Sequence, residues 1–180
     1  MDKKQKKREV LFIEEQPVWL SDDNIDVIQR PKYKSLLRFY IINTPDVHKS
    51  VRGISMEEYD FNEGELIELI KGDVECWESS GNGSVVRSRF NKAGLDSFPP
   101  KADFTERVCF SYTKNDELTC FFGHIRNSLA HGRFNITGST KAPVVIMEDR
   151  NNEGNCSARM VLSLSTLMKW IDRFGNHMKK

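Results

Sequence analysis

Two of the four histidines in this chain of 180 residues fall within one run of ten residues, Gly123-His124-Ile125-Arg126-Asn127-Ser128-Leu129-Ala130-His131-Gly132. Histidine is the usual general acid or base near neutral pH. The planar guanidinium of arginine matches a phosphate and steadies negative charge as it develops. Asparagine orients a histidine or holds a phosphate oxygen. These are the parts that RNA cleavage without a metal requires: a base takes the proton of a 2′-OH, that oxygen attacks the adjacent phosphorus, and a cation steadies the phosphorane. Arg126, Asn127 and His131 are therefore the candidate catalytic residues, with His124 as an auxiliary candidate. The bare Arg-x4-His spacing recurs by chance in short motifs, so its weight comes from the surrounding helix.

That helix is expected at about residues 114–131. Thr113 or Asn115 is available as its N-cap, Asp116 and Glu117 suit its first turn, and Gly132 is a natural stop. At about 100° per residue, Leu118, Phe122, Ile125 and Leu129 share a narrow arc with Phe121 beside it, the face expected in the core. His131 lies roughly 150° from the centre of that arc. Cys120, His124, Asn127 and His131 form a polar stripe, expected to point away from the chain's own core, with Arg126 on its flank. One helix offers one base. Two antiparallel copies would bring two arginines and two histidines into one cleft, so a homodimer through this helix is the expected assembly. The competing reading of the same residues is helix capping and surface hydrogen bonding. Cys120 and His124 are four residues apart, as two zinc ligands on a helix can be, but no second pair accompanies them, so no metal site and no cofactor are expected.

The remaining elements must position this helix. Pro31 suits the first position of a helix in which Tyr33, Leu36, Leu37, Tyr40 and Ile41 keep helical spacing up to Thr44-Pro45. Residues 46–59 read as loop. A second helix is expected from Asp60, with Glu63 completing a capping box and Leu66, Ile67, Ile70, Val74 and Trp77 as its apolar stripe. The run 79–84 reads as a break, 85–104 as a long loop with a short helix or strand, and 107–112 as a weak strand. Val144–Met147 and Ala158–Ser163 flank a polar stretch and read as a hairpin at about 143–163. A last helix follows at about 164–175. Trp19, Trp77 and Trp170 are most simply core or dimer-interface residues.

Hydrophobic residues make up 38% and charged residues 29% of the chain, enough apolar material for a core, and the net charge of +1 advertises no global affinity for nucleic acid or membrane. The local exception is the basic arm within residues 1–20, where Lys3, Lys4, Lys6, Lys7 and Arg8 could touch phosphates; the plainer reading is a solvated terminus. Arg133, just past the motif helix, is a further weak RNA-binding candidate. No apolar run follows the lysines, and the most apolar stretch, Leu36–Ile42, contains Arg38 and is too short to span a bilayer. A cytoplasmic protein with no membrane partner is expected, its cysteines 76, 109, 120 and 156 being free thiols.

Arg126-Asn127-Ser128-Leu129-Ala130-His131-Gly132 resembles the signature of the HEPN superfamily. The Phe121-Phe122-Gly123-His124 lead-in, the Arg133-Phe134 exit, the hairpin and the helix carrying Leu164, Trp170 and Ile171 are similar to a bacterial plasmid- or defence-associated subgroup over about residues 113–175. The resemblance implies a mainly α fold, a HEPN-like helical bundle over residues 21–180 with a small β-hairpin inserted before the last helix. It also implies a metal-independent endoribonuclease, toxin or phage-defence effector, whose site is shared across a homodimer. By position, Arg126 would contact the scissile phosphate, Asn127 would position it and His131 would be the acid–base group. Some members of the superfamily bind nucleotide or RNA without cutting, and the alternative expectation is a non-catalytic module whose cleft binds nucleotide or RNA, or an antitoxin or other regulatory partner.

Overall fold

The computed structural model describes residues 30–46, 54–55, 63–80, 87–100, 103–112 and 117–176. Among the described residues, five helices, α1 (Pro31–Ile42), α2 (Glu63–Asp73), α3 (Arg87–Lys92), α4 (Glu117–Ala130) and α5 (Leu164–Asn176), are interleaved with seven strands: β1 (Pro45–Asp46), β2 (Ile54–Ser55), β3 (Glu75–Ser80), β4 (Arg107–Tyr112), β5 (Phe134–Ser139), β6 (Ala142–Arg150) and β7 (Cys156–Ser163). β1 and β2 form a short parallel bridge, and the other five build one sheet in the order β3-β4-β7-β6-β5. β3 and β4 run parallel; every other neighbouring pair in that sheet is antiparallel.

This overturns the expectation of a mainly helical bundle. The β6–β7 pair is no small insertion but the middle of a mixed five-stranded sheet. The physical reason lies in the alternation of side chains along a strand. Val145, Met147, Ala158, Met160 and Leu162 point to one face and pack with α1, α2, α4 and α5, whereas Val144, Ile146, Cys109 and Val161 point to the other, where Phe90, Ala93, Leu95 and Phe98 cover them. A sheet buried on both faces shows nearly unbroken apolar runs, which a helix also shows. β5 had no counterpart in the sequence reading; Asn135, Thr137, Gly138 and Ser139 give it the look of a loop, and only its pairing with β6 makes it a strand. Gly138, at φ +83°, turns the chain back into β6 where an added Cβ would lie 2.6 Å from the Ala142 carbonyl. The apolar spacing of Val74 and Trp77 misled in the same way: α2 stops at Asp73, and Trp77 lies on β3. The expected helix start at Asp60 lies outside the described residues.

Three contacts fix the helical layer. Tyr40 on α1, fully buried, donates its hydroxyl to the Leu167 carbonyl of α5 (2.9 Å), and burial pushes that hydroxyl's pKa well up. Trp170 of α5, also fully buried, donates Nε1 to Asp73 at the end of α2 (3.0 Å). Phe121 and Phe122 of α4 meet Trp170 edge-on, with centroids 5.6 and 6.3 Å apart. α4 is thus held against α1, α5 and the sheet at once. No described helix is long and apolar enough to cross a membrane.

Candidate active site

The motif helix expected at about 114–131 runs Glu117–Ala130, with Leu118, Phe121, Phe122, Ile125, Ser128 and Leu129 buried. Its first residue, Glu117, shares Lys71 with Glu78: the ammonium lies 2.7 Å from Glu78 and 3.2 Å from Glu117. Burial and the neighbouring Glu78 push the Glu117 carboxyl up. For Glu78, burial is outweighed by the hydrogen bonds of Glu117 and Lys71, which hold it down. Its last turn closes in a Schellman arrangement: Gly132 at φ +67° donates to the Leu129 carbonyl (3.2 Å) and Arg133 to that of Ser128 (2.8 Å). Glycine at 132 is what permits that left-handed turn. His131 is exposed just before the turn, and among the described residues its side chain has no partner.

The polar stripe does not face away from the chain along its whole length. His124 is packed against the end of the sheet, only 12% of its side chain exposed. Its Nε2 lies 2.7 Å from the Ser111 carbonyl on β4 and its Nδ1 2.7 Å from Asp149 Oδ2 on β6. A carbonyl only accepts, so Nε2 carries a hydrogen. The Phe110 ring, 6.1 Å away centroid to centroid, closes another side of the imidazole. Asn127, one turn on, donates Nδ2 to the same Asp149 oxygen (3.3 Å), and its Oδ1 faces Arg126 Nη2 at 3.5 Å, the outer limit of a hydrogen bond. The expected outward stripe presumed that only helices would surround α4; the sheet supplies the cover at His124, leaving His131 exposed and Arg126 and Asn127 half-buried.

The structure therefore brings Arg126, Asn127 and His124 into one polar chain, with His131 a turn beyond. Arg133 is half-buried and donates to the Arg150 carbonyl (3.4 Å), next to Asp149. Lys3, Lys4, Lys6, Lys7 and Arg8 lie outside the described residues. The sequence reading missed Asp149, 3% exposed at the β-bulge between Asp149 and Arg150, and placed it in a hairpin turn. A signal was present: counting by twos, Asp149 follows Val145 and Met147 onto the helix-facing side of β6. No group of three or more His, Cys, Asp or Glu among the described residues is arranged to hold a metal ion. No disulfide joins the four cysteines, and burial pushes the thiols of Cys76 and Cys109 up to about 12.

Comparison with curated proteins and with solved structures returns no match. The model of the family described as HEPN pEK499 p136 matches residues 74–180, which take in the whole polar chain from Ser111 to Asp149 and all five strands of the sheet, and by that match this chain belongs to the HEPN pEK499 p136 family.

Proposed function

We propose that this protein is an endoribonuclease that cleaves RNA by attack of a 2′-OH on the adjacent phosphorus, with no metal in the reaction. Arg126 binds the scissile phosphate, Asn127 positions it and His131 transfers the proton. The observation that carries the reading is the state of the side chains at the end of α4: Asn127 is tied to a buried carboxylate while His131, just past the helix, is exposed with no partner among the described residues. A hydrogen-bonded positioning group beside a free acid–base group is the arrangement that acid–base catalysis of phosphate transfer needs. Family membership supports it, since HEPN modules are generally associated with RNase activity.

Transesterification calls for a base at the 2′-OH and an acid at the leaving 5′-oxygen. In one chain His124 is committed at both ring nitrogens, so His131 is the free histidine that α4 offers. A second copy docked through α4 supplies the other His131 and a second Arg126. The site is in this reading shared by a homodimer, and the cellular role is that of a toxin or phage-defence effector.

The test is cleavage of RNA by purified protein. Arg126→Ala and His131→Ala are each expected to lower the rate at least about 100-fold with the oligomeric state intact. Products should end in 2′,3′-cyclic phosphate, and chelator should leave the rate unchanged. Full activity of His131→Ala would overturn the mechanism. Wild type that binds RNA and never cuts it would favour a non-catalytic RNA-binding module instead.

A further inference from the structure

We infer that Asp149 is a positioning residue that sets the guanidinium of Arg126 through the amide of Asn127, a role that rests on the ribonuclease reading above. Asp149 Oδ1 accepts the backbone N–H of Arg150 (2.9 Å), which pins the carboxylate; Oδ2 accepts from His124 Nδ1 (2.7 Å) and Asn127 Nδ2 (3.3 Å). His124 cannot swing away, because its other nitrogen donates to the Ser111 carbonyl. A carboxylate oxygen only accepts, so Asn127 must turn its NH2 toward Asp149. Its carbonyl oxygen is then left to face Arg126, and a guanidinium only donates. Ser111, His124, Asp149, Asn127 and Arg126 thus form one chain of hydrogen bonds from the buried sheet to the half-buried cation, in which Arg126 donates to Asn127, Asn127 to Asp149, and His124 to both Asp149 and Ser111. Reversing the link between Asp149 and Asn127 sets donor against donor at Arg126.

Asp149→Asn makes that reversal. The buried N–H of Arg150 still requires an acceptor, so the new amide keeps its oxygen there and places its NH2 where Oδ2 stood. Asn127 then turns over, and its own NH2 confronts Arg126. A displaced phosphate-binding group costs rate even when the shift is near 1 Å. The double variant Asp149→Asn, Asn127→Asp restores the sequence of donors and acceptors: the new amide donates to the new carboxylate, which accepts from Arg126. The imidazole accommodates the change by accepting at Nδ1 while still donating at Nε2.

The experiment measures single-turnover RNA cleavage and RNA affinity for wild type, Asp149→Asn, the double variant and Arg126→Ala. Asp149→Asn should lower the cleavage rate about 100-fold with RNA affinity and thermal midpoint little changed. The double variant should recover at least about tenfold of that loss, a non-additivity that a merely structural role would not give. Asp149→Asn at the wild-type rate, or a double variant no faster than Asp149→Asn, overturns the role of Asp149. If Arg126→Ala is also fully active, or wild type cuts no RNA, the ribonuclease reading falls instead and this role with it. A readout free of variants is the nitrogen-15 spectrum of wild type: the Arg126 guanidinium should rotate slowly about its terminal bonds, and free rotation overturns the proposal whether or not the variants fold.

Discussion

Glu148 and Asp149 are neighbours on β6, both buried, and their side chains meet opposite faces of the sheet. Glu148 is closed off. Its two oxygens take Arg150 Nε (2.6 Å) and Arg159 Nε (3.0 Å), and Arg159 is itself fully buried, with Phe90 and Phe98 about it at 4.9 and 5.0 Å. The same guanidinium donates to the carbonyls of Leu95 and Asp96, tying the 87–100 segment to the sheet. Asp149 is served instead by an imidazole, an amide and a backbone N–H, and its chain of bonds leads out to Arg126. One carboxylate neutralises two buried cations and ends there. The other passes orientation outward to a cation that still has donors for a ligand. Their difference is between a group that holds the fold and a group that holds the site, one residue apart.

The largest effect that would break this comparison is on stability. Glu148→Ala leaves Arg150 and Arg159 buried without their counter-charge, and removing one partner of a buried ion pair costs about 3–5 kcal/mol. Urea unfolding should show that loss, while RNA cleavage per folded molecule stays near wild type. A stable Glu148→Ala protein that has lost cleavage would mean that the two carboxylates have been assigned the wrong way round.

His124→Ala should cost less, about 1–3 kcal/mol, the range for leaving a buried acceptor without its donor. It strips both the Ser111 carbonyl and Asp149 of their partner. It should nonetheless reduce cleavage more than Glu148→Ala does, because the Asp149 carboxylate is then held by Arg150 N–H and Asn127 alone. Denaturation and cleavage assays on the two variants sharpen the comparison by crossing: the greater loss of stability in one, the greater loss of rate in the other. Parallel losses would erase it.

How far each region could be read from sequence follows the same division. Arg126 and Asn127 lie on a helix whose apolar stripe and Gly132 stop are local signals, with His131 just past its end, so their place at the end of α4 was legible. The other half of the polar chain was not. Glu148-Asp149-Arg150 looks like a turn because charged residues are mostly exposed; what buries them is a partner distant in sequence, Arg159 for one and α4 for the other. β3 was hidden for a related reason: it pairs in parallel with β4, whose residues lie some thirty positions further on, and nothing local announces such a neighbour. The helical expectation for the whole chain then led to the expectation of an outward-facing His124, since without a sheet nothing remained to cover it.

Asp103 supplies the smallest effect and a control for both carboxylates. It is a fully exposed acid beside the segment that Arg159 ties down. Its carboxyl accepts the Thr105 backbone N–H (2.9 Å), the Thr105 hydroxyl (2.7 Å) and Arg107 Nη1 (2.8 Å), and Arg107 in turn donates to the Gly94 carbonyl (3.2 Å). Those bonds, the Thr105 N–H first, hold its pKa down to about 2. A carboxylate depressed by folding stabilises the fold above its ordinary value, about 4, and loses that contribution as pH falls from there to about 2. Carbon-13 titration of the Asp103 carboxyl should give a midpoint near 2 in the native protein, and Asp103→Asn should flatten the pH dependence of stability in that window only slightly, since exposed pairs are screened by water and salt. A midpoint near 4 would show that the Thr105 and Arg107 bonds to Asp103 do not persist in solution. A large effect on stability would show something more damaging: that burial is not what separates Glu148 from an exposed carboxylate bonded to an arginine, and the contrast between Glu148 and Asp149 would then have to rest on the identity of their donors alone.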